Sequence, residues 1–400
     1  MRLGILTLAC IIGCHGVQFA IPDIDLEIAA IRRNDYVAYA SLHGMDLTFH
    51  DVVTPDGWIL QLWRVTSPEI YDEKRSAPVI VSHAFMASAF DYMWNLRNES
   101  TAFVLADNGY DVWLTNYRAN EFSNAVLVDG NRTEPTPEDY LRSGWQYMAE
   151  RDLPTIIEKV LEVTQQSKFY LIGHSMGCTI TFAYLSQDHS YDDKPVFKFL
   201  LGRQLAATTG SAWKDFLGYL LSSLCYNLPS ACFFTRSPHM NQTRIGIFLN
   251  KTPAGFSLIT NYNFGVELNR DHWAKIDFRE IPQSGLTNEA EYNQSEPTEY
   301  DFAALRVPYS LYFVDNDHFN GLQTALDTIQ RLNATDYTFI KGNLSHEDAV
   351  MGFDTPCYTI NAILERFEAL EKQRDDDHEK YREKVSKFVD SLPFEDGCPE

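Results

Sequence analysis

From residue 49 to 66, in the stretch containing HDVVTPDGWILQLWRV, two strand-like runs flank Pro55, Asp56 and Gly57. That pattern predicts a β-hairpin closed by a tight turn. The next run, APVIVSH (77–83), is apolar without alternation, as expected of a strand covered on both faces. Residues 99–108 have the spacing of a helix and end at Gly109, a suitable C-cap, before the strand-like YDVWLTNYR. The order then repeats: DLPTIIEKVLEVTQQ predicts a helix opening at Pro154, FYLIG a strand, the residues up to Ser186 a helix, and VFKFLLGRQLAA another strand. Strands alternating with helices predict a doubly wound, mostly parallel α/β sheet. The rhythm stops between residues 208 and 300, a stretch too long for a connecting loop, which predicts an inserted cap or lid subdomain. It resumes with PYSLYFV (308–314), a helix near 320–332, the strand YTFIK (337–341) and a helix after Pro356. A charged extension follows, in which Tyr381, Val385, Phe388 and Val389 fall on one face of a peripheral helix.

The termini and the charge narrow the class. Residues 1–20 carry one arginine followed by LGILTLACIIGC and then small residues, the layout of a secretory signal peptide. No later stretch reaches the length of about 18 apolar residues needed for a transmembrane segment. A net charge of −22 argues against nucleic acid and against electrostatic docking on anionic lipid, so a neutral or apolar partner is expected. Glycosylation sequons stand at Asn98, Asn131, Asn241, Asn250, Asn293 and Asn333. A seventh at Asn343 lies three residues before His346, where a glycan would crowd the neighbourhood. Seven is an excess over the roughly 2.6 expected by chance and predicts a lumenal or secreted glycoprotein. In that compartment Cys225 and Cys232, closing a short loop, are the best disulfide candidate, whereas Cys178 reads as a small core residue. No cysteine or histidine spacing matches a structural zinc site.

The chemistry concentrates in the pentapeptide GHSMG at 173–177, set between the strand-like FYLI and the helical CTITFAYL. A serine hydroxyl is a weak nucleophile until a base takes its proton, and the base needs a third group to fix its tautomer. In α/β-hydrolases such a serine sits on a strained strand-to-helix turn, with glycines on either side relieving the crowding, and an acid and a histidine follow later in the chain. Here Ser175 is the expected nucleophile. Asp317 follows the strand 308–314 as the acid, with Asp315 its competitor, and His346 follows the strand 337–341 as the base. The developing oxyanion needs donors, expected from the backbone N–H groups of Met176 and Phe85, with His83 bracing the loop that carries Phe85.

These residues resemble the acid lipase family of animal gastric and lysosomal lipases. The segments DVVTPDGWIL, NESTAFVLADNGYDVWLTNYRAN, MAERDLP, GHSMG, NKTPAGFS and SHEDAVMGFD look like family segments, from about Asp51 to Ile363. The resemblance implies an α/β-hydrolase fold and places the family's acid on Asp317 in VPYSLYFVDND. It also pairs Cys225 with Cys232 in a cap disulfide. It implies hydrolysis of triacylglycerol or cholesteryl esters through an acyl-enzyme, without metal or cofactor, on a neutral lipid presented at an interface or in a micelle. The expected layout is a signal peptide (1–20), a core in two parts (21–207 and 301–364), a cap (208–300) and a charged helical extension (365–400), in a protein that is secreted or lysosomal. The chain departs from the family at Ala84 and Ala119, where glycine is usual, and at Met176, where glutamine is usual. Should Ala84 need a positive φ, it would carry about 1 kcal/mol or more of strain. The altered loop motivates an alternative, a lipid-binding or storage protein that keeps the fold but is catalytically weak.

Overall fold

A computed structural model of the chain describes residues 22–187, 197–201, 237–267, 273–319, 321–371 and 376–391. Its centre is a sheet of eight strands: β1 (Asp46–Val53), β2 (Ile59–Thr66), β3 (Pro78–Ser82), β4 (Asp111–Leu114), β7 (Tyr170–His174), β8 (Phe197–Leu201), β9 (Tyr309–Val314) and β10 (Tyr337–Ile340). A small separate hairpin, β5 (Val126–Val128) with β6 (Asn131–Thr133), was not signalled by the hydrophobic pattern. The order across the main sheet is β1-β2-β4-β3-β7-β8-β9-β10. β1 and β2 are the expected hairpin, paired antiparallel from Asp46 with Thr66 to Val53 with Ile59. β2 meets β4 antiparallel, and every pairing from β4 to β10 is parallel.

The apolar runs form strands here because helices cover both faces of the sheet. Along β3, Val79 and Val81 enter one core with Val112, Leu114, Ile172 and Val314, while Ile80 enters the other with Trp113, Leu171, Leu311 and Phe313. The alternation is that of a pleated strand whose two faces are both apolar. The helices Thr101–Asp107 and Asn361–Glu371 close the first face, and Leu153–Thr164 and Met176–Gln187 close the second. Phe367 stacks on Tyr170 with ring centroids 3.9 Å apart, which fixes the later helix on β7.

Both ends of the described chain are helical. The polar N-terminal stretch forms two helices, Ile24–Arg32 and Tyr36–Leu42, whose first turns are capped by the side chains of Asp23 and Asp35. Glu27 of the first helix is fully buried, accepts two hydrogen bonds from the Arg244 guanidinium at 2.9 and 2.6 Å, and lies 2.7 Å from His43 Nε2. The charged extension is helical over Asn361–Glu371 and Asp376–Ser391. The predicted face is the one that packs: Tyr381 and Val385 sit on Ile70, with Phe388 and Val389 beside them. Tyr381 Oη lies 2.7 Å from Ser76 Oγ and donates to Gly109 O at 2.8 Å. Gly109 has φ +80° and leaves no space for a Cβ, which would lie 2.7 Å from both Tyr381 Oη and Val385 Cγ2.

Residues 1–20, Cys225 and Cys232 lie outside the described residues. Cys178 is buried with its thiol in the core, as expected of a core residue, and Cys357 is disulfide-bonded. Among the described residues no helix is long and apolar enough to cross a membrane, and no group of three or more His, Cys, Asp or Glu side chains is arranged to hold a metal ion.

Candidate active site

Ser175 stands between the last residue of β7 and the first turn of the helix Met176–Gln187, with φ +53°. A non-glycine residue in this left-handed region stores about 1 kcal/mol or more and persists only where its surroundings hold it. The surroundings are tight. A Cβ on Gly177 would lie 2.1 Å from the carbonyl oxygen of Ser82 in β3, so only glycine lets the helix come this close to the sheet. Ser82 Oγ in turn lies 2.6 Å from Tyr117 Oη, and the Cys178 thiol donates to Gly173 O at 3.0 Å.

The residue before the serine ties this turn to the far end of the sheet. His174 is fully buried, which depresses its pKa to about 3 and keeps the ring neutral; its Nε2 lies 3.0 Å from the backbone oxygen of His346. The His174 and His346 rings pack with centroids 4.9 Å apart. His346 Nδ1 lies 2.8 Å from Asp317 Oδ2, and Asp317 Oδ1 accepts the Phe319 N–H at 2.8 Å. Burial alone would push the His346 pKa down. The charge and hydrogen bond of Asp317, with the charge of Glu347, outweigh it and raise the value to about 8. Glu347 is itself buried and its pKa rises to about 7.

Asp315, the competing acid, has a different place. Its oxygens accept the N–H groups of Gly342 and Leu344, both at 3.1 Å, and so fasten the loop that leads to His346. Asp348 accepts the Ser345 N–H at 2.7 Å and the Ser237 hydroxyl at 2.6 Å, holding the same loop from its other side. Neither role is readable from sequence, because each depends on a loop conformation.

The two expected oxyanion donors belong to different elements. Met176 is the first residue of its helix, where helix geometry supplies no partner for the N–H. Phe85 lies in the loop after β3. His83 braces that loop: its Nδ1 lies 2.7 Å from Ala84 O and its Nε2 accepts the Tyr117 N–H at 3.1 Å, an arrangement that requires the neutral Nδ1–H tautomer. Complete burial lowers its pKa to about 4, in accord with that state. The strain anticipated at Ala84 is absent, and it is Met86, with φ +63°, that takes the left-handed conformation; Ala119 does so too, at φ +65°. Met86, and not Ala84, therefore makes the corner of the loop.

The sheet with its serine turn after β7 has the α/β-hydrolase fold, and the comparisons make the chain a carboxylic ester hydrolase. Residues 36–96 match the partial α/β-hydrolase lipase region and residues 77–201 the α/β hydrolase fold. The chain is 28% identical over 356 residues to the gastric triacylglycerol lipase of Homo sapiens, covering 79% of this chain and 86% of that protein. It is 27% identical over 354 residues to lipase member K of Mus musculus, covering 80% and 87%. A carboxylesterase structure from the thaumarchaeon Nitrososphaera gargenis superposes with a TM-score of 0.50 at 14% identity, over 80% of this chain and 98% of that one, a likeness of fold. The chain has the α/β-hydrolase fold, and its similarity to the gastric lipases extends over about four-fifths of its length.

Proposed function

We propose that the protein is a serine hydrolase that cleaves carboxylic esters of neutral lipids, triacylglycerol or cholesteryl ester, through an acyl-enzyme. The observation that carries the reading is the chain of contacts from the strained Ser175 turn through His174 to the backbone of His346, and from the His346 ring to Asp317. In the forward step the Ser175 hydroxyl attacks the ester carbonyl while His346 Nε2 takes its proton, and Asp317 holds Nδ1–H and stabilises the imidazolium. The backbone N–H groups of Phe85 and Met176 receive the oxyanion. Collapse of the tetrahedral intermediate expels the alcohol, which takes the proton back from His346, and water then releases the fatty acid by the same route.

The segment 208–300 is read as the cap over this site. Its described parts include the exposed Leu258 and the aromatic Phe256 and Phe264, which pack on Phe85, a lining suited to an acyl chain. The signal-like N-terminus and the sequons support a secreted or lysosomal location. Asn131, Asn250, Asn293 and Asn333 are exposed and open to a glycan, as is Asn343, while Asn98 and Asn241 are half-buried. The test is release of fatty acid from long-chain ester emulsions together with labelling by a serine-directed fluorophosphonate. Both are expected of the native chain and neither of Ser175→Ala. A lipid carrier on the same fold would retain lipid without labelling, and unchanged hydrolysis by Ser175→Ala would end the serine reading.

A further inference from the structure

We infer that residues 252–256, far from the triad in sequence, form a strap that holds the oxyanion loop in its working shape, and that Thr252 is a positioning residue for the reaction proposed above, on which this inference rests. The loop after β3 reaches the strap at three places. The Ala254 N–H donates to Met86 O at 2.8 Å, the Thr252 hydroxyl donates to Asp91 Oδ1 at 2.6 Å, and the Phe256 ring packs edge-on against Phe85 with centroids 4.8 Å apart. The strap is anchored behind by the Glu121 N–H, which donates to Ala254 O at 2.7 Å.

The need for a strap follows from the strain. Met86 has φ +63°, a conformation its own side chain disfavours by about 1 kcal/mol or more, so the loop does not take this shape for local reasons. Within the loop, Asp91 Oδ2 accepts the Ser88 N–H at 2.8 Å and the Ser88 hydroxyl at 3.0 Å, which makes the loop's own turn rigid, and the Ala87 N–H donates to Ala84 O at 3.2 Å. That turn is fixed to the sheet by the Ala89 N–H donating to Asn116 Oδ1 at 2.9 Å. The buried Asp91 carboxylate therefore joins two tasks, closing the loop on itself with one oxygen and receiving the strap with the other. If the strap lets go, Met86 relaxes toward negative φ and the peptide between Phe85 and Met86 rotates. The Phe85 N–H, one peptide back, then no longer points to where the oxyanion forms. Substrate binding depends on the acyl pocket and is largely spared, whereas the transition state loses a donor.

The test is Thr252→Val, which keeps the shape and removes the hydroxyl, read on a soluble p-nitrophenyl ester with active sites counted by fluorophosphonate titration. Thr252→Ala, which leaves room for a water beside Asp91, is run in parallel in case the valine chain does not fold. Loss of a whole oxyanion donor costs 10²–10³ in kcat, so its displacement is expected to lower kcat about 10- to 30-fold, with KM within about twofold. Thr252→Ser, which returns the hydroxyl, is expected to restore kcat to within about threefold of native. A kcat per titrated site that stays native in both Thr252→Val and Thr252→Ala overturns the inference even if the melting temperature falls, and so does a change confined to KM. Failure of the strap leaves a site still silenced by Ser175→Ala; failure of the serine reading shows as activity that survives Ser175→Ala.

Discussion

Gly177 gives the sharpest prediction, because one methyl group there meets backbone. In Gly177→Ala the new Cβ would lie 2.1 Å from Ser82 O, 2.7 Å from Ser82 C and 2.7 Å from Ser82 Oγ, whereas ordinary contact begins at 3.4 Å. The helix Met176–Gln187 and β3 must part by more than an ångström, and neither is a flexible side chain that can swing away. Overpacking of a filled core costs about 1–3 kcal/mol, and a clash with strand backbone belongs at the upper end, about 3 kcal/mol. The displaced segment carries Ser175 two residues upstream, and a misplacement of about 1 Å at a reacting group costs on the order of 10²-fold in rate. The control is the same chemical change at Gly246, in the helix Ile245–Leu249, where an added Cβ meets nothing within 4 Å. There alanine is expected to stabilise by about 0.5–1 kcal/mol, since glycine is the poorer helix former. Urea denaturation midpoints and kcat/KM on a soluble ester, measured side by side, decide the matter. A Gly177→Ala chain within about 0.5 kcal/mol of native stability and within about threefold of native rate would refute the close-packing argument.

Three further outcomes are expected. The base must be neutral to accept the serine proton, and with His346 raised to about 8, kcat/KM on a soluble ester should climb with pH through an apparent pKa near that value. The Glu347 charge favours the imidazolium, so Glu347→Gln should move this acid limb to lower pH; a limb that stays put or moves up contradicts the assignment. Asp317→Asn should cut kcat by roughly 10³- to 10⁴-fold by spoiling the His346 tautomer while leaving the fold intact by circular dichroism, and a loss below about tenfold would point to another orienting group. Tyr381→Phe removes the hydroxyl that lies 2.7 Å from Ser76 Oγ and donates to Gly109 O at 2.8 Å, and should cost about 1 kcal/mol of stability with kcat unchanged; an unaffected denaturation midpoint would show the helix Asp376–Ser391 to be energetically idle there.

Much of this was legible in the sequence because period and punctuation are local signals. The hairpin around Gly57, the buried strands β3 and β7 and the helix after Ser175 follow from runs of a few residues. The preference for Asp317 over Asp315 came from the resemblance and agrees with the 2.8 Å contact to His346. What stayed hidden depends on tertiary context. Asp23 and Asp35 are ordinary N-cap residues, a local signal, but Glu27 reads as a surface residue until Arg244 is brought against it. Glycine is usual at Ala84, which made a positive φ there worth weighing, whereas the strain falls on Met86, at a position where nothing in the local residues asks for it. The contact of His174 with the His346 carbonyl spans 172 positions, beyond the reach of any local pattern.

The ion pair between Glu27 and Arg244 bears on how the chain is made. Its partners are 217 residues apart, and synthesis at about 5–20 residues per second leaves the amino-terminal carboxylate waiting about 10 to 40 s before its guanidinium emerges. Until then His43 is at hand but the guanidinium that supplies two of the carboxylate's hydrogen bonds is not, so the helix Ile24–Arg32 is among the later elements to be locked in place.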